Sequence, residues 1–534
     1  MQTTDLHYPF AGLDVSSAYC KQPNRPAVHG QYARTSAQAI NVRSFDATDH
    51  ARGGSRTGIA KYIEAIPGGT QYIIQDLEML VNTGISVPGG GTVQSSESGR
   101  VVLLVAVVAG DVYTCPAGGT VWTIATNSTG ETPPLSITGL MQSASNNQKL
   151  YFADGTNKVY YDPSTNTLFP WTLTDGDFPV DSQNNTPRLI CTWHGRTVMS
   201  GLPYDQSAIF MSKVSDPTNF QYNPALPVPP DSAWSGHTGP QGLMGDVVTA
   251  LIPYTDDVLI VGMDSSLAIF RGDPQYGGSI DNVTTTIGIA WGKAWCMDPT
   301  GTVYFFSNRI GIFAFVPGNQ PQRISAPIDS LLLNVDTGIN TILLQWNDRF
   351  QQLHVWITLT STPAPTTHYV WESRSNAWWQ DQFVDANKNP LTCVTFDGNT
   401  AADRVALIGS WDGYVRSISS DATDDDGDPI NSEIFIGPFL TQYNDSVMLK
   451  EIQGVLGANS GDVSYEVYCA DSAEEALAST AVASGTWSAG RNFSDAMRRA
   501  GYAAYVKLTS ANAWAMESIR AVLDANGAVR RRGK

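Results

Sequence analysis

From about residue 100 to residue 420 the chain repeats one pattern of apolar and polar positions. A short apolar run is followed by a turn carrying Gly, Asp or Asn, then by a second, aromatic-rich run. "KLYFADGTNKVYYDPSTNTLFPWT" (149–172) is one copy and "DVLIVGMDSSLAIFRGDP" (257–274) another. "GTVYFFSNRIGIFAFVPGNQPQRI" (301–324), "THYVWESRSNAWWQDQF" (367–383) and "RVALIGSWDGYVRSI" (404–418) continue it. Partial alternation around a tight turn predicts a β-hairpin in each. The last four copies begin at 257, 301, 367 and 404, a spacing of roughly 40–65 residues, near that of four-stranded propeller blades with insertions. A lone hairpin cannot bury both faces, so blades stack radially and leave only short edges.

The longest apolar run, "VVLLVAVVA" (101–109), is too short to cross a bilayer as a helix and reads as one buried strand. Helix signals are few. "SAPIDSLLLNV" offers Ser325 as N-cap with Pro327 and Asp329 in the first turn. "DSAEEALAST" offers a capping box, Ser472 with Glu475. The hairpin pattern breaks at the acidic run "SSDATDDDGDPINSE" (419–433). Beyond it, Tyr502, Ala504, Val506 and Leu508 alternate as one side of a sandwich strand. The expected fold is all-β: an N-terminal extended segment leading into the propeller (1–70), a β-propeller-like domain of several four-stranded blades (71–420), a solvated acidic linker (421–433) and a C-terminal β-sandwich (434–534).

Composition agrees. Among 534 residues only 15% are charged, while Gly (48), Pro (30), Trp (14) and Tyr (21) are plentiful, which suits short strands and many turns. The net charge of −18 lacks the basic footprint of a nucleic-acid binder, yet suits a surface past which DNA slides. One basic patch, "VRRRGK" (529–534), reads as a solvated tail. Six widely spaced cysteines without a C-x-x-C signal neither a zinc ribbon nor a thioredoxin-type site and fit reduced, buried thiols. "MQTTDLHYPF" has neither the basic nor the apolar region of a signal peptide, so synthesis in a cytoplasm is expected.

Candidate chemistry is thin. "ARGGSRTGIAKY" (51–62) looks built for phosphate, but no Gly-Lys-Ser/Thr follows Gly58, and Thr57 stands where a nucleophile elbow needs its second glycine. It reads as a turn, shaped by Gly53, Gly54 and Gly58, with Arg43, Arg52 and Arg56 bracing it or a neighbouring subunit. Asp421 to Asp428 resembles a calcium loop, but Ala422 occupies the first ligand position. Arg271-Gly272-Asp273 is assigned to a turn, and Trp193 to Arg196 to a hairpin turn in which His194 is hydrogen-bonded. The seven histidines are scattered, with no H-E-x-x-H. Trp371, Trp378 and Trp379 are read as hairpin core rather than a stacking platform. No catalytic, cofactor-binding or metal-ligating residue is assigned, and the protein is not expected to be an enzyme.

Taken in order, several segments resemble the tail nozzle (tail hub) proteins of short-tailed bacteriophages. "NVRSFDATDHARGGSRTGIAKY" resembles their opening. "RLICTWHGRTVMSG" followed by "IFMSKVSDPTNF" is similar to their strand-turn-strand ending at a turn, here Ser215, Asp216, Pro217 and Phe220. "TALIPYTDDVLIVGMDSSLAIF" and "GIAWGKAWCMDPTGTVYFFSNRIGIFAF" resemble successive blades, and "WAMESIRAVLDANGAVRRRGK" the last strand and basic tail. The stretch 71–145 departs most from the family pattern. The resemblance implies a virion structural protein: a six-fold ring below the portal and adaptor that continues the DNA channel and holds fibres, spikes or a needle. It implies no cofactor, with double-stranded DNA passing without sequence-specific binding. Two other classes compete: a carbohydrate-binding propeller serving receptor recognition, and a propeller-fold glycan hydrolase using carboxylates.

Overall fold

The apolar runs pair into antiparallel sheets that stand radially around one axis. The computed structural model describes residues 2–26, 32–66, 73–83, 100–137, 141–239, 241–398, 404–440, 447–494, 496–497 and 499–525. Seven radial sheets form among them. Their innermost strands are Ile74–Thr83, Gln142–Asn146, Leu189–Trp193, Val248–Thr255, Trp295–Met297, Asn340–Asn347 and Pro390–Asp397, and blades 1 to 7 are numbered in that order. The hairpins read from the sequence at 149–172, 257–274, 301–324, 367–383 and 404–418 fall in blades 2, 4, 5, 6 and 7. The run 101–109 supplies Arg100–Val108 of blade 1, with Val102 to Val108 buried.

The circle closes in two ways. Pro390–Asp397 of blade 7 packs on Ile74–Thr83 of blade 1. The outermost strand of blade 7 comes from far upstream: Ile59–Lys61 pairs antiparallel with Val415–Ile418. Joining the two ends of the ring by main-chain hydrogen bonds removes the edge that an open circle of blades would expose.

The C-terminal lobe is a sandwich of two sheets. One carries Gln2–Leu6, Met516–Ala525, Val447–Leu456 and Gly490–Phe493; the other carries Ser432–Leu440, Ala503–Ser510, Val463–Ala470 and Ala483–Trp487. Val506 and Leu508 face the core between them. Ala503 and Tyr505 face the other way, and pack under the helix Ala473–Ala478. Ser472 caps that helix, accepting from the Glu475 N–H at 3.1 Å. The second expected helix is shorter than its sequence signal. It spans Asp329–Leu332, and Ser325 instead bonds the Ile312 N–H and the Asp329 carboxylate.

The two lobes share a sheet. Gln380 of blade 6 pairs with Ile40, and Ile40 and Ala39 pair with Glu433 and Ile434 of the sandwich. The two-residue strand Ala39–Ile40 thereby splices a blade and a sandwich sheet into nine continuous strands. Trp378 and Trp379 sit beside this splice. Successive side chains of a strand point to opposite faces, so Trp378 packs into the propeller core and Trp379 into the sandwich core. Trp371 packs at a tilt against Tyr304, with centroids 5.7 Å apart. All three serve packing. Trp379→Ala should cost about 3–5 kcal/mol, read as a fall in the denaturation midpoint; an unchanged midpoint would refute the role of this ring as the shared anchor.

The acidic run is only in part a solvated linker: Asp421 and Asp424 are exposed, but Asp425, Asp426 and Asp428 are held against the fold. Asp425 is buried and receives both terminal nitrogens of Arg56, at 2.8 and 2.6 Å. The Lys388 ammonium bonds the Asp425 and Asp426 carbonyls and the Asp428 carboxylate, and Arg416 bonds the Asp426 carboxylate. The reason is local charge balance: the run lies against a cluster of buried cations that its carboxylates neutralise. The carboxylates of Asp425, Asp426 and Asp428 are thereby occupied by Arg and Lys. The glycines of the upstream turn make the approach possible. A Cβ on Gly58 would lie 1.8 Å from the Asp424 carbonyl oxygen, and one on Gly54 2.2 Å from that of Trp514. The basic tail 529–534 lies outside the described residues.

Candidate functional site at the propeller axis

The sequence motifs that suggested chemistry are each consumed by structure. Arg271 pairs with Asp281, and Asp273 receives the buried Arg196 guanidinium. His194 sits at the hairpin turn, its Nδ1 3.0 Å from the Asp256 carbonyl. Asp216 accepts the N–H and hydroxyl of Thr218, which forms the Ser-Asp-Pro turn. Arg56 lies in the lobe junction with Arg43, which grips Asp381 through two bonds of 2.8 and 2.6 Å. Burial alone would raise the Asp381 pKa, but Arg43 and Arg56 outweigh it and hold the carboxyl at about 2. Arg52 bonds Asp46. None of the six cysteines is in a disulfide. No group of three His, Cys, Asp or Glu positioned to hold a metal occurs among the described residues.

What remains is the axis, where the innermost strands converge. Lys293, just ahead of the inner strand of blade 5, reaches Asp76 at 2.8 Å and Glu78 at 3.4 Å on blade 1. These blades are not neighbours in the circle, so the ion pair spans the axis. Ser143 of blade 2 donates to the other oxygen of Asp76 at 2.6 Å. Burial works against the Lys293 ammonium, but Asp76 and Glu78 more than offset it, so its pKa lies above the usual lysine value. Lys293 is thus a cation that ties three blades together across the axis.

Above this ion pair the axis widens into a mouth of about 650 Å³. Arg188 and Trp291 line both the mouth and the small cavity beneath it. Thr337, Asn340 and Gln206 stand on its wall. The mouth is concave, mixed polar and apolar, and large enough for a small ligand. Sequence reasoning missed these residues. The available signal was the pair Trp291 and Lys293, two residues apart in an otherwise small and apolar run; nothing local marks Arg188.

No family model matches the chain, and no curated protein matches it. Solved structures do. The extracellular domain of a hybrid two-component system protein, BT4673 from B. thetaiotaomicron, is 11% identical over 68% of this chain, with a TM-score of 0.41. The match spans 39% of that protein's chain. YCF48 bound to D1 peptide is 13% identical over 68% of this chain and 98% of its own, with a TM-score of 0.38. The GH74 enzyme of Niastella koreensis is 13% identical over 65% of this chain and 44% of its own, with a TM-score of 0.37. The strand pairing described above, rather than these likenesses, carries the fold assignment.

Proposed function

We propose that the chain is a virion structural protein, the ring-forming nozzle of a short phage tail that extends the DNA conduit below portal and adaptor and anchors fibres, spikes or a needle. The observation that carries the reading is the nine-stranded sheet through Ala39–Ile40, which fuses propeller and sandwich into one block. A conduit wall needs subunits whose lobes do not swing apart. Closed cyclic symmetry also needs two unlike faces on each subunit, since the interface is heterologous, and two fused lobes supply them. The ion pair that spans the propeller axis fits too, because the DNA path would lie between subunits and not through one. The order of the family-like segments along the chain supports the same reading.

Charge supports the conduit. At −18 per chain, a six-fold ring carries about a hundred net negative charges, and an acidic or neutral lumen lets DNA slide where a basic one would hold it by counterion release. Native mass spectrometry of the purified full chain with its adaptor should give a closed oligomer, six-fold in this reading. The same material should show no tight binding of duplex DNA at moderate salt. A persistent monomer would instead favour the receptor-binding reading, and one that turns over a glycan the hydrolase reading.

A further inference from the structure

We propose that the mouth of the propeller axis is a binding site for a carboxylate-bearing sugar ring, with Arg188 taking the carboxylate and Trp291 the apolar face of the ring. The inference stands on the mouth alone and does not depend on the ring assembly.

Arg188 is exposed in a chain rich in carboxylates, yet its guanidinium makes no hydrogen bond or ion pair with any described residue. The one carboxylate among the residues lining the mouth, Asp154, cannot serve it. Its Oδ1 accepts the Thr156 and Asn157 N–H groups, and its Oδ2 accepts the Ser136 N–H and the Asn157 side-chain amide, at 2.7–2.8 Å. The mouth therefore holds a guanidinium whose donors are unmet, in a space whose one carboxylate has its acceptor positions filled by neutral amides. Trp291 stands beside it, 38% exposed, where an aromatic ring of this size is usually covered.

Both side chains are seated by glycines. Gly155 and Gly201 have φ of +82° and +78°. A Cβ on Gly155 would lie 2.7 Å from Arg188 Nε, and one on Gly201 would lie 2.9 Å from the Trp291 ring. The loops of blades 2 and 3 thus leave room for these two side chains at the floor of the mouth.

The chemistry of the ligand follows from this set. A guanidinium fork matches a carboxylate through two parallel hydrogen bonds. The flat indole covers the C–H face of a pyranose, and its N–H remains available as a donor. Thr337 and Thr156 offer hydroxyls to the ring hydroxyls. A phosphate of nearly two charges would find one cation only, because Lys293 beneath is committed to Asp76 and Glu78. That favours a singly charged acidic sugar over a nucleotide. A volume of about 650 Å³ accommodates one or two rings.

The test is titration calorimetry of the full chain with trigalacturonate and sialyllactose, each against its neutral counterpart, galactotriose and lactose, and with AMP as the phosphate probe. At least one acidic sugar should bind at least tenfold tighter than its neutral partner and tighter than AMP. A response to sialyllactose alone points to a terminal acidic sugar, and one to trigalacturonate to a polyuronate chain. Arg188→Gln should abolish the preference for the acidic probe with an unchanged thermal midpoint, because its guanidinium makes no bond to the fold, and Trp291→Ala should weaken acidic and neutral probes alike. No binding of either acidic sugar at millimolar concentration, tighter binding of AMP, or an acid preference that survives Arg188→Gln would overturn the proposal.

Discussion

Arg56→Met should destabilise the protein by about 3–5 kcal/mol, the cost of leaving a buried carboxylate without its partner. In the native fold Arg56 and Asp425 form a two-bond pair with side chains only 5% and 1% exposed. Arg56 also donates to Asn41 Oδ1 at 3.0 Å and lies 5.2 Å from the centroid of Phe383. Burial disfavours its charge, but Asp425 and Asp381 more than offset this and raise its pKa above the ordinary arginine value. Removing the guanidinium therefore strands Asp425 at the point where the chain leaves blade 7 for the sandwich. Denaturant unfolding measures the loss. Asp425→Leu in the same background should recover part of it, since an apolar pair of similar size strands no charge. Limited proteolysis gives an independent readout: the intact protein should resist cleavage at 421–433, and Arg56→Met should become cleavable there. A variant as stable and as resistant as the parent would show that the junction does not depend on this pair.

The second large effect is acid sensitivity centred on blade 6. His354 and His368 are buried on adjacent strands of that blade. The His354 ring lies 5.0 Å from the Trp356 ring, nearly parallel to it, and neither of its nitrogens has a hydrogen-bond partner. His368 Nδ1 accepts the Ile357 N–H at 3.1 Å, which assigns the proton to Nε2, 3.0 Å from Asn389 Oδ1. Burial first, then for His354 the charge of Arg43, depresses these pKa values to about 3 and about 4. Asp381 pulls the other way and is outweighed.

The sign follows. An unfolded chain protonates these rings near pH 6.5, and the folded one does not until pH 4 or 3. Stability is therefore full above pH 6.5 and falls as pH drops toward the folded values, by up to about 1.4 kcal/mol per unit for each ring. Asp381, held at about 2, adds its own loss only below its ordinary value near 4. Between pH 6.5 and 4 the two histidines drive the decline, partly offset by Glu78, Asp111 and Asp348, whose burial raises their pKa and favours the folded state as pH falls. His354→Phe keeps a flat ring on Trp356 and should roughly halve the slope. An unchanged slope, or stability flat across that window, would contradict the buried neutral rings.

How much of this the sequence disclosed depended on the range of the interaction. Hairpins at 257–274 and 301–324 were legible because two strands and their turn lie within one short window, where alternation and Gly or Asp are visible together. The closing strand Ile59–Lys61 and the splice Ala39–Ile40 were not. Strands of two or three residues have no period to detect, and their partners lie hundreds of residues away. The acidic run misled for the same reason. Its composition reads as solvated, and only the fold brings Arg56, Lys388 and Arg416 against it. In Ala503–Ser510 the expected face of Tyr502, Ala504, Val506 and Leu508 was half right. Val506 and Leu508 are buried in the core, but the helix Ala473–Ala478 also buries Ala503 and Tyr505 on the opposite side. A packed helix covers what a simple sandwich would leave wet. At the axis, Trp291 and Lys293 left only a faint local signal and Arg188 none, because their meaning comes from convergence of separate blades.

The central claim is that this two-lobed block is one subunit of a closed conduit. A cryo-electron microscopy map of the assembled tail tests it most directly. The account predicts six copies in a closed ring, propeller and sandwich fixed relative to each other in every copy, and a lumen lined by acidic or neutral side chains. Isolated copies outside any ring, or a lumen lined mainly by Lys and Arg, would contradict it.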